Sequence, residues 1–295
     1  MKELISIRQK SAATFLPAII TILLVFLIPC APLSAQEEEE RDNRPVRSPF
    51  ETTTLIDNHT TVNLTKGSLK FDIAHRFSEI KEIGDIYGIY GSANTRLALD
   101  YGITDRIMAG FGTTRDYKLQ DFEWKVAIFT QTRSGSVPLS LSYYGNMVID
   151  ARSEDNFGPP DEYNFMHRMS YLTQLIASRK LGPVSLQLIP SFAWFNGVES
   201  GYNNINFALS FGGRAQVIGS HSIIFEYDQP ITQHEAFESK PNASLGIEIV
   251  TGTHSFRIFV ANCSNIVKQY NLFYNSHDLL DGDLRFGFNI SVALR

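Results

Sequence analysis

Almost all ionic side chains of the alternating segments in this chain keep to one parity, with His75 and His167 as exceptions. In the closing segment DLRFGFNISVALR, Leu284, Phe286, Phe288, Ile290, Val292 and Leu294 alternate with Arg285, Gly287, Asn289, Ser291, Ala293 and Arg295. Leu69, Phe71 and Ile73 alternate in the same way with Lys70, Asp72 and Ala74, and Phe122, Trp124, Val126 and Ile128 with Glu123, Lys125 and Ala127. Leu97, Leu99, Tyr101 and Ile103 oppose Arg96, Ala98 and Asp100, while Ile205, Phe207, Leu209 and Phe211 oppose Asn206, Ser210, Gly212 and Arg214. A period of two is that of a β-strand, whose successive side chains point to opposite faces. No helix-period segment of comparable length appears beyond residue 35 to cover such a face. Two architectures satisfy the pattern. In a soluble sandwich the apolar rows meet in the core; in a membrane barrel they face lipid and the ionic rows line the interior.

The connections favour the barrel. Extended linkers such as SEIKEIGDIYGIYGSA, TTRDYKLQ, ARSEDNFGPPDEYN, FNGVESGYNN, QPITQHEAFESKPNA and CSNIVKQYNLFYNSHDLLDG alternate with short ones such as TD, RSGS, RKLG, IGSHS and TGT. One rim of the sheet thus carries the tight turns and the other the long loops, as in outer-membrane barrels. A lipid-facing charge at mid-depth costs roughly 2–4 kcal/mol, which accounts for the segregation of ions onto one parity. The expected fold is all-β: a closed antiparallel up-and-down transmembrane β-barrel of about twelve strands, within roughly ten to fourteen, over residues 67–295. Tyr101, Trp124, Tyr143, Tyr171 and Trp194 lie on the apolar parity, several near strand ends where interfacial girdles form.

Lys2, Arg8 and Lys10 precede an apolar stretch near Phe15–Leu27, followed by Pro29, Pro32 and Leu33-Ser34-Ala35. Residues 1–35 read as a cleaved signal peptide, and the localisation expected is the outer membrane of a Gram-negative bacterium. Residues 36–66, with the run Glu37–Glu40 and no sustained period, read as a flexible, solvated periplasmic leader. Loss of Cys30 with the signal leaves Cys263 alone, so no disulfide framework or cysteine metal cluster is expected. The formal charge of -5 gives no basic surface for nucleic acid.

On this parity the residues expected to line the lumen are Asp72, Arg76, Arg96, Asp100, Glu123, Lys125, Arg168, Arg214, Glu226, Asp228, Glu248, Arg257 and Arg285. The near balance of signs favours a narrow or filled interior, with Arg76, Arg168, Arg214 and Arg257 pairing with carboxylates such as Asp100, Glu123, Glu226 and Glu248. The leading function is a narrow channel or transporter for small polar solutes through a charge-lined lumen. The alternative is a structural or partner-binding barrel with a filled lumen. Expected partners are outer-membrane lipid and lipopolysaccharide, with a periplasmic or surface protein as a further candidate.

HRF at His75–Phe77, GIYGSANTRLALDYGITDRIMAGFG at Gly88–Gly112, YYGNMVID ending at Asp150, and HRMSYLTQLIASRK at His167–Lys180 resemble a family of uncharacterised outer-membrane β-barrel proteins of the Bacteroidota. GGRAQV and IFEYDQPIT fit as well, so the resemblance covers nearly all of the chain beyond the signal. It implies an exported barrel with no assigned reaction. A surface lipid hydrolase is the weaker rival: a barrel phospholipase sets His and Ser two apart on one strand, whereas Phe77 and Met169 follow His75 and His167 at that spacing. No enzyme and no catalytic residue are therefore expected. Glu154, Asp155, Asp161 and Glu162 could offer oxygen ligands to Ca²⁺, but they read more simply as a solvated loop, so no metal and no cofactor are expected.

Overall fold

The computed structural model describes residues 42–81, 84 and 88–294. The signal segment and residues 36–41 of the leader lie outside the described residues. Twelve strands close into one antiparallel barrel: β1 (Leu69–Arg76), β2 (Asn94–Thr104), β3 (Ile107–Thr114), β4 (Leu119–Phe129), β5 (Ser140–Asp150), β6 (Met169–Leu181), β7 (Val184–Phe195), β8 (Ile205–Ile218), β9 (His221–Pro230), β10 (Asn242–Val250), β11 (His254–Ala261) and β12 (Arg285–Leu294). Each strand pairs with its sequence neighbour, and β1 closes the ring on β12 from Leu69 opposite Leu294 to Arg76 opposite Gly287. Closure leaves no strand edge unpaired, which is the condition for a sheet to cross hydrocarbon.

Burial runs opposite to that of a soluble protein. On β2, Leu97, Leu99 and Tyr101 are 42–49% exposed, whereas Ala98 and Asp100 between them are 3% and 1% exposed. Lipid is the medium in which such an apolar exterior is stable.

The connections at the short-turn rim after β2, β6, β8 and β10 are tight, and those after β1, β5, β7, β9 and β11 are extended. The linkers flanking β4 depart from the sequence expectation. Asp116–Lys118 close a short turn before β4, and ten residues, 130–139, join β4 to β5. The longer rim connection is occupied: Val46 donates its N–H to the Gln131 carbonyl (2.9 Å) and Ser134 donates to the Asp42 carbonyl (3.0 Å). The chain is therefore anchored at this rim before it enters the barrel.

On β3, Gly110 and Gly112 thin the inner face. A Cβ at Gly112 would lie 2.6 Å from both the Arg96 guanidinium and the Asp121 carboxylate, so the glycine lets β2 and β4 side chains meet across β3. There Arg96 contacts Asp121 at 2.5 Å and Glu123 at 3.1 Å.

Candidate functional site

A barrel of eight strands is about the size that side chains alone can fill, so twelve leave interior volume. Two segments of the chain occupy it. The first comes from the stretch 36–66 that composition reads as a solvated leader: residues 49–60 are largely buried, so the solvated reading does not hold for them. After the rim anchor the chain rises into the lumen, folds back as a hairpin and returns to β1. Leu55 donates to the Asn58 carbonyl (2.8 Å), Thr60 donates to the Thr53 carbonyl (2.9 Å), and Thr54 pairs with His59.

The wall supplies what water would have supplied. At the hairpin tip the backbone N–H groups of Ile56, Asp57 and Asn58 donate to the Glu226 carboxylate at 2.8, 2.9 and 3.0 Å. The Asn58 amide donates to Asp228 (2.9 Å). Carbonyls are met from β11, β12 and β4: Arg257 donates to Thr54 (2.6 Å), Asn289 to Ile56 (2.6 Å) and Lys125 to Thr53 (3.1 Å). Arg76, fully buried, binds the Asp57 carboxylate at 2.5 Å and lies over the Phe259 ring at 4.4 Å. His59 stacks on Tyr144 (4.0 Å between ring centres) and faces Glu123 at 3.5 Å. Phe50, Leu55 and Ile56 pack on an apolar patch of the inner wall formed by Ile224, Phe259 and Ala261. A polar strand in a charged lumen meets the same demand as one in water, that every buried donor and acceptor find a partner.

The second insert is the connection from β11 to β12, which carries helix α1 (Lys268–Phe273). Leu272 and Phe273 pack against Leu172, Ile176, Ile189 and Ala193 on the inner faces of β6 and β7. Lys268 binds Asp228 (2.6 Å), and Gln269 donates to Asn146 (3.1 Å). Burial opposes the Lys268 charge, but Asp228, Glu226 and Asp57 outweigh it and raise its pKa. The inserts meet where the Asn271 amide reaches Asp57 at 3.5 Å. Beside them Cys263 is buried, and desolvation pushes its thiol up to about 12. Between hairpin, α1 and wall lies a cavity of about 50 Å³ lined in part by Asp57, His59, Arg96, Glu123, Arg257 and Lys268.

Of the thirteen residues singled out from sequence as lumen-lining, twelve stand on barrel strands, while Arg168 lies in the turn before β6, and their partners differ from those expected. Among the four arginines, Arg214 pairs with one of the proposed wall carboxylates, Glu248, at 2.8 Å. Arg76 divides its donors between Asp57 of the hairpin and the wall acceptors His75 carbonyl (3.0 Å) and Asn289 (2.9 Å), Arg257 donates to the Thr54 carbonyl and to Ser291, and Arg168 donates to the Tyr163 hydroxyl (2.6 Å) and the Asp150 carbonyl (3.0 Å). Glu226 serves backbone N–H groups instead of an arginine. Asp100 pairs with Lys70 (2.8 Å), which also holds Asp72. Arg285 donates to the Asn262 carbonyl (3.4 Å). Sequence reading omitted Asp121, Asp57 and Lys268, the first assigned to no inward row and the other two to a leader and a loop.

His75 stacks on Phe288 and bonds the Thr95 hydroxyl (2.8 Å), and His167 lies in the turn before β6. Glu154, Asp155, Asp161 and Glu162 are exposed on their loop. Among the described residues, Glu79, His277 and Asp283 bring their ligand atoms within 4.8 Å of one another at the long-loop rim, the one grouping with the donor types of a metal site.

A family model described as a membrane-bound beta barrel domain matches residues 50–294, so the matched region includes the hairpin as well as the barrel. Among solved structures, the chain is similar to the NanC porin, at 7% identity over 77% of this chain and 99% of that one, with a TM-score of 0.49. It is similar also to the KdgM porin in complex with disordered oligogalacturonate (8% identity, 77% and 99% coverage, TM-score 0.48). An outer-membrane channel from Pseudomonas putida F1 follows at 10% identity, 81% and 100% coverage and a TM-score of 0.45. A search of curated proteins finds no match.

Proposed function

The chain belongs to the membrane-bound beta barrel domain family (DUF5777), and from that premise we propose that it is an outer-membrane barrel of a Gram-negative bacterium, closed at rest by its own N-terminal hairpin. In this reading the short-turn rim faces the periplasm and the long-loop rim the exterior. The observation that carries the reading is the grip of Glu226 on three consecutive hairpin N–H groups, deep inside a lumen also filled by α1. Such a barrel presents two built surfaces, a periplasmic mouth and an outward vestibule, and works at them without passive solute flow.

A second reading, regulated transport of small polar solutes, is favoured by the chemistry of the filling. A permanent plug can be apolar, yet this lumen retains ionic pairs such as Arg214 with Glu248 and Lys70 with Asp100, which would line a polar passage if the hairpin withdrew.

Planar-bilayer recording separates these from an open channel. The intact protein is expected to stay near the baseline, and a variant lacking residues 48–62 is expected to show steady single-channel conductance. Steady conductance from the intact protein, at the level of that deletion, would reject closure. Openings of the intact protein triggered by one solute would select the regulated reading.

A further inference from the structure

At the long-loop rim, the connections after β3, β5 and β7 and the helix α1 enclose a cavity of about 600 Å³. That volume is in the range of small-molecule sites. Its wall is aromatic, with Tyr117, Phe157, Phe195, Tyr202, Tyr270 and Tyr274 among the lining residues. The tyrosines form a continuous array: Tyr117 to Tyr270 at 5.5 Å, Tyr270 to Tyr274 at 5.5 Å, and Tyr274 to Tyr202 at 5.7 Å with nearly parallel planes.

The charges of the lining narrow the class of ligand. Arg152 is held by the Asp150 carboxylate at 2.6 Å and lies over the Tyr117 ring at 4.6 Å. Arg168 is held by the Tyr163 hydroxyl and the Asp150 carbonyl. Arg152 is neutralised by Asp150, whereas the acceptors of Arg168 are uncharged; with Glu162 and Glu199 the carboxylates of the lining outnumber its arginines three to two. An anionic ligand would meet that excess of carboxylates. A wholly apolar ligand would take phenol hydroxyls and the Asn196 amide out of water without replacing their hydrogen bonds. A sugar satisfies both constraints. Its C–H face suits the negative face of an aromatic ring, and its hydroxyls can donate to carboxylates and exchange hydrogen bonds with phenols and amides.

The backbone carries an independent sign. Tyr117 and Lys118, with φ of 56° and 49°, are the non-glycine residues in the left-handed region among those described. Bulky side chains seldom adopt this conformation, and residues held in it cluster at functional sites. The turn before β4 would form more readily with Asn or Gly at position 117. What tyrosine adds there is a ring at the cavity wall, 38% exposed and fixed between Arg152 and Tyr270.

We infer that this vestibule binds a short neutral oligosaccharide, with Tyr117 as a stacking platform and Glu162 and Glu199 as acceptors for sugar hydroxyls. The site stands whether or not the barrel conducts. The test is calorimetric titration of the full-length protein in nanodiscs with neutral trimers of glucose, galactose and mannose, and with a uronic acid trimer as control. At least one neutral trimer is expected to bind at a single site, and more tightly than the control. Tyr117→Asn, which removes the ring and suits the backbone, is expected to weaken that binding at least tenfold while the barrel unfolds at the same temperature or higher. Tyr202→Phe, which removes one hydroxyl, is expected to weaken it less. The inference is overturned if no neutral trimer binds, if the uronic acid trimer binds as tightly, or if Tyr117→Asn binds like the parent protein.

Discussion

Replacing Glu226 by alanine is expected to release the hairpin from the lumen while the barrel stays closed as a sheet. The carboxylate is the acceptor for Ile56, Asp57 and Asn58 N–H groups, all inside the barrel. A buried donor left without a partner costs about 1–3 kcal/mol. Loss of the charge also relieves repulsion from Asp57 and Asp228 nearby, which offsets part of the penalty. A net loss of about 3 kcal/mol raises the displaced population by roughly two orders of magnitude. β9 itself keeps its ladder to β8 and β10, because the substitution touches no strand hydrogen bond. Thermolysin cleavage within Leu55–Ile56, followed by mass spectrometry of the protein in nanodiscs, reads the displaced state. Cleavage about a hundredfold faster than in the parent protein is expected, and an unchanged rate would mean that Glu226 does not hold the tip.

Lys70→Met is expected to produce the largest loss of barrel stability. Lys70 lies between Asp72 and Asp100, at 2.8 Å from the latter, and also donates to the Thr53 hydroxyl of the hairpin. Methionine preserves most of the side-chain volume but leaves two inward carboxylates facing each other with their shared cation gone. Removing one partner of a buried pair costs about 3–5 kcal/mol because the other charge is stranded. A heat-dependent shift in gel mobility, or circular dichroism in detergent, should show unfolding at clearly lower temperature. Lys70→Met with Asp100→Asn should recover much of the loss; no recovery would place the effect in packing instead.

Much of the fold is legible in the sequence because lipid enforces a simple rule. A charge on the outer face is costly at every depth but the ends, so strand parity and inside-outside position become the same variable. That is why rows such as Leu97, Leu99 and Tyr101 against Arg96, Ala98 and Asp100 identify both a strand and its orientation, and why twelve strands emerge from alternation. The hairpin escapes the same rule. FETTTLIDNHTTV has the polarity of a segment bathed in water, and a charged lumen imitates water in its hydrogen-bonding demand.

A signal for both inserts was nevertheless present, in residues that break the parity. Ile224 and Phe259 are large apolar side chains in otherwise polar inward rows, and they form the patch under Leu55 and Ile56. Leu172, Ile176 and Ile189 break their rows in the same way and receive Leu272 and Phe273 of α1. An apolar side chain turned into a polar lumen requires a cover, and the length of the β11–β12 connection was the place to look for one of them. Pairing was less legible than placement. Parity gives the face on which Arg76 or Glu226 lies, but their partners come from a segment that parity cannot align, so Arg76 finds Asp57 and Glu226 finds backbone.

The claim on which the rest depends is that residues 50–62 are a folded part of the barrel interior. Hydrogen–deuterium exchange of the full-length protein in nanodiscs, followed by mass spectrometry of peptides covering this stretch, tests it without a variant or a ligand. Protection of the Ile56, Asp57 and Asn58 amides for as long as those of neighbouring β9 is the result predicted, since their donors sit on Glu226. Complete exchange of the same peptides within seconds, as for a chain in open water, would contradict it.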